Sequence, residues 1–114
     1  MITVKRSEFK REIIPDEMTE YDEEPASPDE GEKVAQMLAA RERNYNLGHW
    51  GYVGIQASVQ ISIPYRQGSI THKISSPGLW GIESDSDDSY FNEVFAEESE
   101  TLIDMLTQLG VKIE

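Results

Sequence analysis

Carboxylates near the C-terminus are the residues of this sequence best placed to do chemistry. Four of them fall on one line of a helical wheel: Glu93, Glu97, Glu100 and Asp104. The segment just before them adds Glu83, Asp85, Asp87 and Asp88. At about 1.5 Å of rise per residue, the four helical carboxylates span roughly 16 Å. No lysine or arginine occurs between Lys73 and Lys112, so the sequence predicts an uncompensated acidic strip.

A strip of this kind could imitate the charge of a polynucleotide. Duplex DNA carries about one negative charge per 1.7 Å of its axis. The predicted strip is sparser, but it is rigid and of one sign, and it could steer onto a basic groove at a raised rate. The alternative interpretation is a solvated helix face that keeps a small protein in solution. Such faces usually alternate lysine with glutamate, and this one does not.

Glu98 differs from these carboxylates because it falls inside the apolar stripe of the same helix, between Phe95 and Leu102. A buried carboxylate without a partner is costly. We therefore expect it to meet a cation or hydroxyl from the sheet, such as His72 or Lys73. A structural polar contact is the favoured interpretation, and a general base acting with His72 is the alternative.

Other reactive patterns fail on spacing. Counted from Asp85, the sixth and twelfth positions of a calcium loop are Tyr90 and Ala96 rather than glycine and glutamate, which favours helix capping instead. His49 and His72 have no ligand-spaced neighbours, and the chain has no cysteine. Neither a phosphate-binding glycine loop nor a nucleophile elbow is present. The sequence predicts no catalytic residue, no metal site and no cofactor.

Length and charge limit the remaining possibilities. The 114 residues suffice for one domain, and 22 acidic against 10 basic residues give a net charge of -12. Such a balance argues against direct binding to nucleic acid or to an anionic membrane. The sequence shows no apolar stretch typical of a signal peptide or a bilayer-spanning helix, so we expect a cytoplasmic protein.

The N-terminal segment is rich in charged residues and poor in apolar residues that could be buried in a core. Residues 1–26 form a segment that is first basic and then acidic, with a possible strand before Ile14 and an extended linker from Pro15 to Ala26. The linker carries four carboxylates that could make a second contact: Glu20, Asp22, Glu23 and Glu24. Ser27 and Pro28 then predict the start of a helix that runs to about Asn44 with a narrow apolar stripe.

Residues 27–114 are predicted to form a single α+β domain. Apolar residues occupy every second position from Val53 to Ile63, where Pro64 should end the strand. Residues 69–75 and 79–82 complete a three-stranded antiparallel meander. A long C-terminal helix ending at Leu109 should cover one face of that sheet, with residues 111–114 as a tail or an added edge strand. Trp50, Tyr52 and Trp80 are expected to pack in the core or at an edge.

One stretch of the sequence resembles a known group of proteins. The run Gly-Leu-Trp-Gly-Ile-Glu-Ser-Asp-Ser-Asp at residues 78–87, followed by Tyr90 and by a helix ending Leu109-Gly110-Val111, is similar to small proteins of bacteriophages and other mobile elements. The resemblance covers about the C-terminal half of the chain and implies an accessory gene. Small acidic proteins in that setting include anti-CRISPR and anti-restriction inhibitors that mimic DNA charge, an analogy of class rather than of motif.

We therefore expect a non-enzymatic inhibitor of a host defence nuclease complex, acting as a monomer or homodimer. Recognition should use Asp85, Asp87, Asp88, Tyr90, Glu93, Glu97, Glu100 and Asp104, with the linker carboxylates as the second contact. The first alternative is a small adaptor that binds another protein through the Trp80 loop and a free sheet edge. The second alternative is an enzyme centred on Glu98 and His72.

Overall fold

A computed structural model describes residues 2–21 and 31–114 and confirms an α+β fold with two helices and a mostly antiparallel sheet. The strands are β1 (Thr3–Val4), β2 (Lys10–Pro15), β3 (Tyr52–Tyr65), β4 (Gly68–Ser75), β5 (Leu79–Glu83) and β6 (Lys112–Ile113). The helices are α1 (Gly31–Asn46) and α2 (Asp88–Gln108), with a short 3-10 turn at Arg6–Glu8. Neither helix in these described ranges is long and apolar enough to cross a membrane.

Strand β3 organises the main sheet and corrects the predicted meander. β2 pairs antiparallel with one of its edges, from Lys10 opposite Ser58 to Pro15 opposite Val53. β4 and β5 lie end to end on the other edge, so β5 pairs with β3 instead of β4. The meander was wrong because β3, at 14 residues, is long enough for two short strands to share one edge.

The direction of main-chain groups along β3 explains why Pro64 does not end the strand. The Ala57 carbonyl accepts from the Ser76 N–H at 2.8 Å, on the β4 and β5 side, whereas the Tyr52 carbonyl accepts from the Asp16 N–H on the β2 side. The main-chain N–H and C=O groups of the even-numbered residues of β3 therefore point toward the β2 side. Pairing with β2 stops at Ser58. Pro64 points its missing N–H at that open edge, where no ladder hydrogen bond is lost.

The core lies between β3 and α2. Side chains along β3 alternate between the two faces of the sheet, and those of the odd-numbered residues point toward α2. Ile55 and Ala57 are fully buried there. Leu102 and Leu106 of α2 are also fully buried, in a cluster that includes Val59 and Ile61. Burial of one leucine side chain contributes roughly 2 kcal/mol, so this seam supplies much of the folding free energy. α2 thus packs against β3 through these side chains.

β1 and β2 are formed by the N-terminal segment, residues 1–26, which precedes the predicted domain of residues 27–114. β2 belongs to the main sheet, and β1 pairs in parallel with β6 in a separate two-stranded sheet. The Arg6 N–H donates to the Glu114 carbonyl at 3.0 Å. The C-terminal residues therefore form an added strand rather than a free tail.

Helix α1 is held mainly at its C-terminal end. The Trp50 indole N–H donates to the Arg41 carbonyl at 3.0 Å, and the Arg41 guanidinium lies 3.7 Å from the centre of the Trp50 ring. The rings of Tyr21, Tyr45, Trp50 and Tyr52 form a cluster with centres 5.2 to 6.0 Å apart. No residue of the predicted apolar stripe is buried: Met37 is 64% accessible, and Leu38 and Arg41 are half-buried. The predicted cap at Ser27 and Pro28 lies outside the described residues.

Candidate functional site

The carboxylates of α2 form what we call the acidic row: Glu93, Glu97, Glu100 and Asp104. All four are exposed on the side of the helix that faces away from the sheet. In the described part of the chain, the carboxylates of Glu93, Glu97 and Asp104 make no ion pair or hydrogen bond, and neither does that of Asp87. These four carboxylates remain uncompensated, as the sequence predicts.

Three of the predicted site carboxylates are paired with arginines, so the prediction of an entirely uncompensated strip was wrong. Asp88 accepts from Arg11 at 2.8 Å, and Glu100 accepts from Arg6. Asp85 accepts from both terminal nitrogens of Arg41, at 2.7 and 3.0 Å. Folding brings these cations from β2, the 3-10 turn and α1, from 44 to 94 positions away. A gap in basic residues along the sequence does not predict such pairs.

Arg41 is the centre of this network. Besides Asp85 it binds Glu83, and its side chain is only 26% accessible. Its hydrogen bond to Asp85 holds the pKa of that carboxyl below its ordinary value and raises the pKa of the guanidinium. The predicted capping role falls to Asp87, which is the N-cap residue of α2 by backbone conformation but makes no side-chain cap bond.

Glu98 meets a backbone amide rather than the predicted side chains. Its Oε1 accepts from the Gly78 N–H at 2.7 Å, which satisfies the half-buried carboxylate and fixes the turn between β4 and β5. Lys73 instead binds Glu12 at 2.6 Å, and His72 is exposed on β4. The predicted contact with His72 or Lys73 was therefore wrong, and the structure does not bring Glu98 and His72 into a hydrogen-bonded pair.

The Trp80 indole forms a half-exposed platform on the face of the sheet opposite α2. It is 43% accessible and donates its N–H to the Pro77 carbonyl at 2.9 Å. The ring lies against Gly54, where an added Cβ would stand 2.2 Å from Trp80 Cε3. Only glycine at this position lets the indole lie flat on the strand. The ring is thus held in place while one side of it stays open to solvent.

Two grooves flank this platform. One, of about 500 Å³, is lined by residues 79–83 together with Ser86 and Tyr90, and the other, of about 450 Å³, by Trp80 and residues 15–19. Tyr90, a predicted anchor, is 41% accessible at the wall of the first groove. Met18 is 91% accessible at the second. The platform and the two grooves together form a partly apolar surface beside the predicted site.

A polar loop that sequence reasoning missed supports the second groove. Asp16 accepts from the N–H groups of Met18 and Thr19 at 3.0 and 3.1 Å, from the Thr19 hydroxyl at 2.6 Å, and from the Gly81 N–H at 2.8 Å. The Thr19 hydroxyl and these N–H groups lower the pKa of Asp16. An aspartate three residues before a threonine is typical of such turns and could have been found in the sequence.

The remaining predicted residues lie partly within and partly outside the residues that the structure describes. Glu20 is exposed, next to Tyr21 of the aromatic cluster, whereas Asp22, Glu23 and Glu24 lie outside the described residues. Among residues 2–21 and 31–114, no three histidine, cysteine or acidic side chains are grouped so that they could hold a metal ion. Comparisons with protein-family models, curated proteins and solved structures found no match to this chain.

Proposed function

We propose that this chain is a non-enzymatic protein of a mobile element that inhibits a host defence nuclease by offering the acidic row to a basic nucleic-acid groove. The observation that carries the proposal is the exposure of Glu93, Glu97 and Asp104, without partners in the described structure, along one side of a 21-residue helix. The helix is packed on its other side, so the backbone positions from which these side chains project are fixed. Glu93 and Asp104 are eleven positions apart, which corresponds to roughly 16 Å along the helix axis.

The ion pairs narrow the proposed contact. Asp85 is bound by both terminal nitrogens of Arg41, and because such forked pairs are strong, Asp85 contributes less to an external partner. Arg6 and Glu100 are 55% and 62% accessible, and an exposed pair of this kind is worth at most about 1 kcal/mol. A partner arginine can therefore replace Arg6 at Glu100. The proposed contact consists of the acidic row and Asp87, with Tyr90 as an apolar anchor near its N-terminal end.

Charge and burial have different parts in this proposal. A row of like charges raises the association rate and orients the partner, whereas affinity comes mostly from buried aromatic anchors. Binding should weaken as ionic strength rises, because the Debye length falls from about 10 Å at 0.1 M to about 3 Å at 1 M. The proposed partner is a nucleic-acid-binding protein of a defence complex, and the nucleic acid competes with the chain for the groove.

The test is competition with duplex DNA for a panel of purified RNA-guided and restriction nucleases. Replacement of Glu93, Glu97 and Asp104 by lysine should abolish inhibition while circular dichroism stays unchanged. The matched control replaces Glu32, Glu42 and Glu114 by lysine; these residues are exposed outside the proposed contact and the two grooves, and the net charge changes equally. Full inhibition by the first variant, or equal loss in both variants, would contradict recognition by the acidic row.

The Trp80 platform favours a second candidate function, a small adaptor that binds another protein of the same element. The rigid, half-exposed indole between two grooves is the observation behind it. In this case Trp80→Ala abolishes capture of the partner, and salt barely affects binding, because the contact is mainly apolar. A Trp80→Ala variant that binds as well as the unaltered chain contradicts the adaptor. Capture lost only when the acidic row is reversed favours the first proposal.

A further inference from the structure

The outer edge of β4 is an open sheet edge. β4 pairs with β3 along its whole length, from Ser75 opposite Ser58 to Gly68 opposite Tyr65. Its other edge pairs with no strand in the described part of the chain. An unpaired edge presents main-chain donors and acceptors to any strand that can approach it.

The pairing pattern shows which residues of β4 offer those groups. Successive antiparallel pairs alternate between exchanging both hydrogen bonds and exchanging none. Pro64 has no N–H, so its pair with Ser69 is of the second kind, in agreement with the odd-numbered β3 residues bonding on this side. Ser69, Thr71 and Lys73 therefore direct their N–H and C=O groups outward, away from β3.

This edge lacks the usual protection against pairing. β4 contains no proline and its register with β3 has no irregularity, whereas the open edge of β3 carries Pro64. Lys73 is the one charged residue of β4, and its ammonium group is bound to Glu12 on β2, in the direction away from the open edge. The outer edge of β4 is therefore the unprotected one, and three of its residues, at every second position, direct their main-chain N–H and C=O groups outward.

Charge selects what can approach the edge. The sequence contains no aspartate or glutamate between Glu42 and Glu83, although its net charge is -12. Two copies repel each other over most of their surfaces, and the β3–β4 hairpin is the surface where they can meet without that repulsion. The core-side face of the hairpin also exposes Tyr65 and Ile70, at 52% and 41%. The partner that fits this surface is a second copy of the chain.

We propose that two copies of this protein pair antiparallel through β4, with Thr71 on the two-fold axis. Thr71 then lies opposite Thr71 of the second copy, and Ser69 lies opposite Lys73 on either side. The three outward-facing residues of each copy exchange main-chain hydrogen bonds, and the two Lys73 ammonium groups stay apart. Ile70 packs beside His72 of the second copy. The main sheet becomes continuous across the dimer.

The first experiment measures mass against concentration for the full chain by sedimentation equilibrium. The mass should rise from 12.9 kDa toward twice that value, and added salt should favour the dimer by screening the net charge. Thr71→Glu places two carboxylates opposite each other and should raise the dissociation constant at least tenfold. Ser62→Glu is the matched control, because Ser62 is exposed opposite Thr71 on β3, on the same face but one strand further from the axis.

A second experiment tests the register. The chain has no cysteine, so Thr71→Cys introduces a single thiol. Directly opposite residues have Cα atoms about 5.5 Å apart, which suits a disulfide, whereas two Ser62 residues would be roughly 15 Å apart. Oxidation should cross-link the Thr71→Cys variant and leave Ser62→Cys unlinked.

Three results would overturn the proposal. They are a monomer at every concentration, equal effects of the two glutamate substitutions, or a Thr71→Cys variant that does not cross-link. Assemblies that grow beyond the dimer and dissolve in salt would instead indicate that the hairpin of one copy binds the acidic row of another. Neither outcome bears on nuclease inhibition, which the competition assay tests separately.

Discussion

Removal of the Arg41 guanidinium should weaken the docking of α1 on the rest of the protein. Arg41→Met keeps most of the apolar stem but loses the forked pair with Asp85, the pair with Glu83 and the contact with the Trp50 ring. The cation–π contact is worth about 1 kcal/mol at a partly buried ring. The two ion pairs, whose carboxylates are 43% and 48% accessible, together add about 1 kcal/mol. The docking of α1 should weaken by about 2 kcal/mol, or roughly 30-fold in equilibrium population.

Two measurements follow this change. Thermolysin should cleave α1 roughly 30-fold faster where opening precedes cleavage, because cleavage then follows the population of the open state. In a Trp80→Phe background, which leaves Trp50 as the single indole, the emission of Trp50 should shift to longer wavelength. Arg43→Met is the matched control: Arg43 lies two residues along the same helix, is exposed, and makes no ion pair within the described residues.

The pH dependence of α1 docking follows from Asp85. Its pKa lies below the ordinary value of 3.8 because of the hydrogen bond from Arg41. The ionised pair therefore stabilises the docked helix fully above that value and is lost as pH falls through the lowered pKa. Trp50 emission should report undocking in acid, and Asp85→Asn should reduce this dependence. Equal cleavage rates and emission for Arg41→Met and Arg43→Met would refute the assigned role of Arg41.

Two further predictions concern the sheet and its turns. Gly54→Ala should displace the Trp80 ring and destabilise the protein by about 2 kcal/mol in urea denaturation. Gly51→Ala is the control and should not destabilise it, because a Cβ there meets nothing within 4 Å. Equal effects would contradict the close contact of indole and strand. Glu98→Ala leaves the Gly78 N–H without its acceptor and should lower the free energy of unfolding by about 1 kcal/mol. Glu98→Gln retains an acceptor oxygen and should lower it less. The reverse order would argue against a purely structural role.

The sequence predicted the parts of the fold whose burial pattern is local. Alternation from Val53 to Ile63 predicted β3, and helical spacing from Phe91 to Leu106 predicted α2, since a residue's side of an element depends only on neighbours along the chain. The arrangement of strands was less accessible. Pairing of β5 with β3 depends on the length of β3 and on the turn at Ser76, which alternation does not encode.

The candidate site shows the same division. Exposure of the acidic row followed from helical spacing, but the partners of Asp85, Asp88 and Glu100 did not. Charge counted along a sequence ignores cations that arrive through the fold. The partner of Glu98 was missed for another reason: the turn places a backbone amide in reach, and every residue except proline carries one.

The two halves of β3 lie in different environments and should therefore differ in local stability. Its first half lies under α2 between β2 and β5, whereas its last residues pair with β4 alone and leave the other edge of β3 unpaired within the described residues. Amide hydrogens near Ile55 and Ala57 should exchange with solvent only on global unfolding, whereas those near Ser62 should exchange through local fraying. One continuous strand thus joins a slow-exchanging core to a fast-exchanging tip.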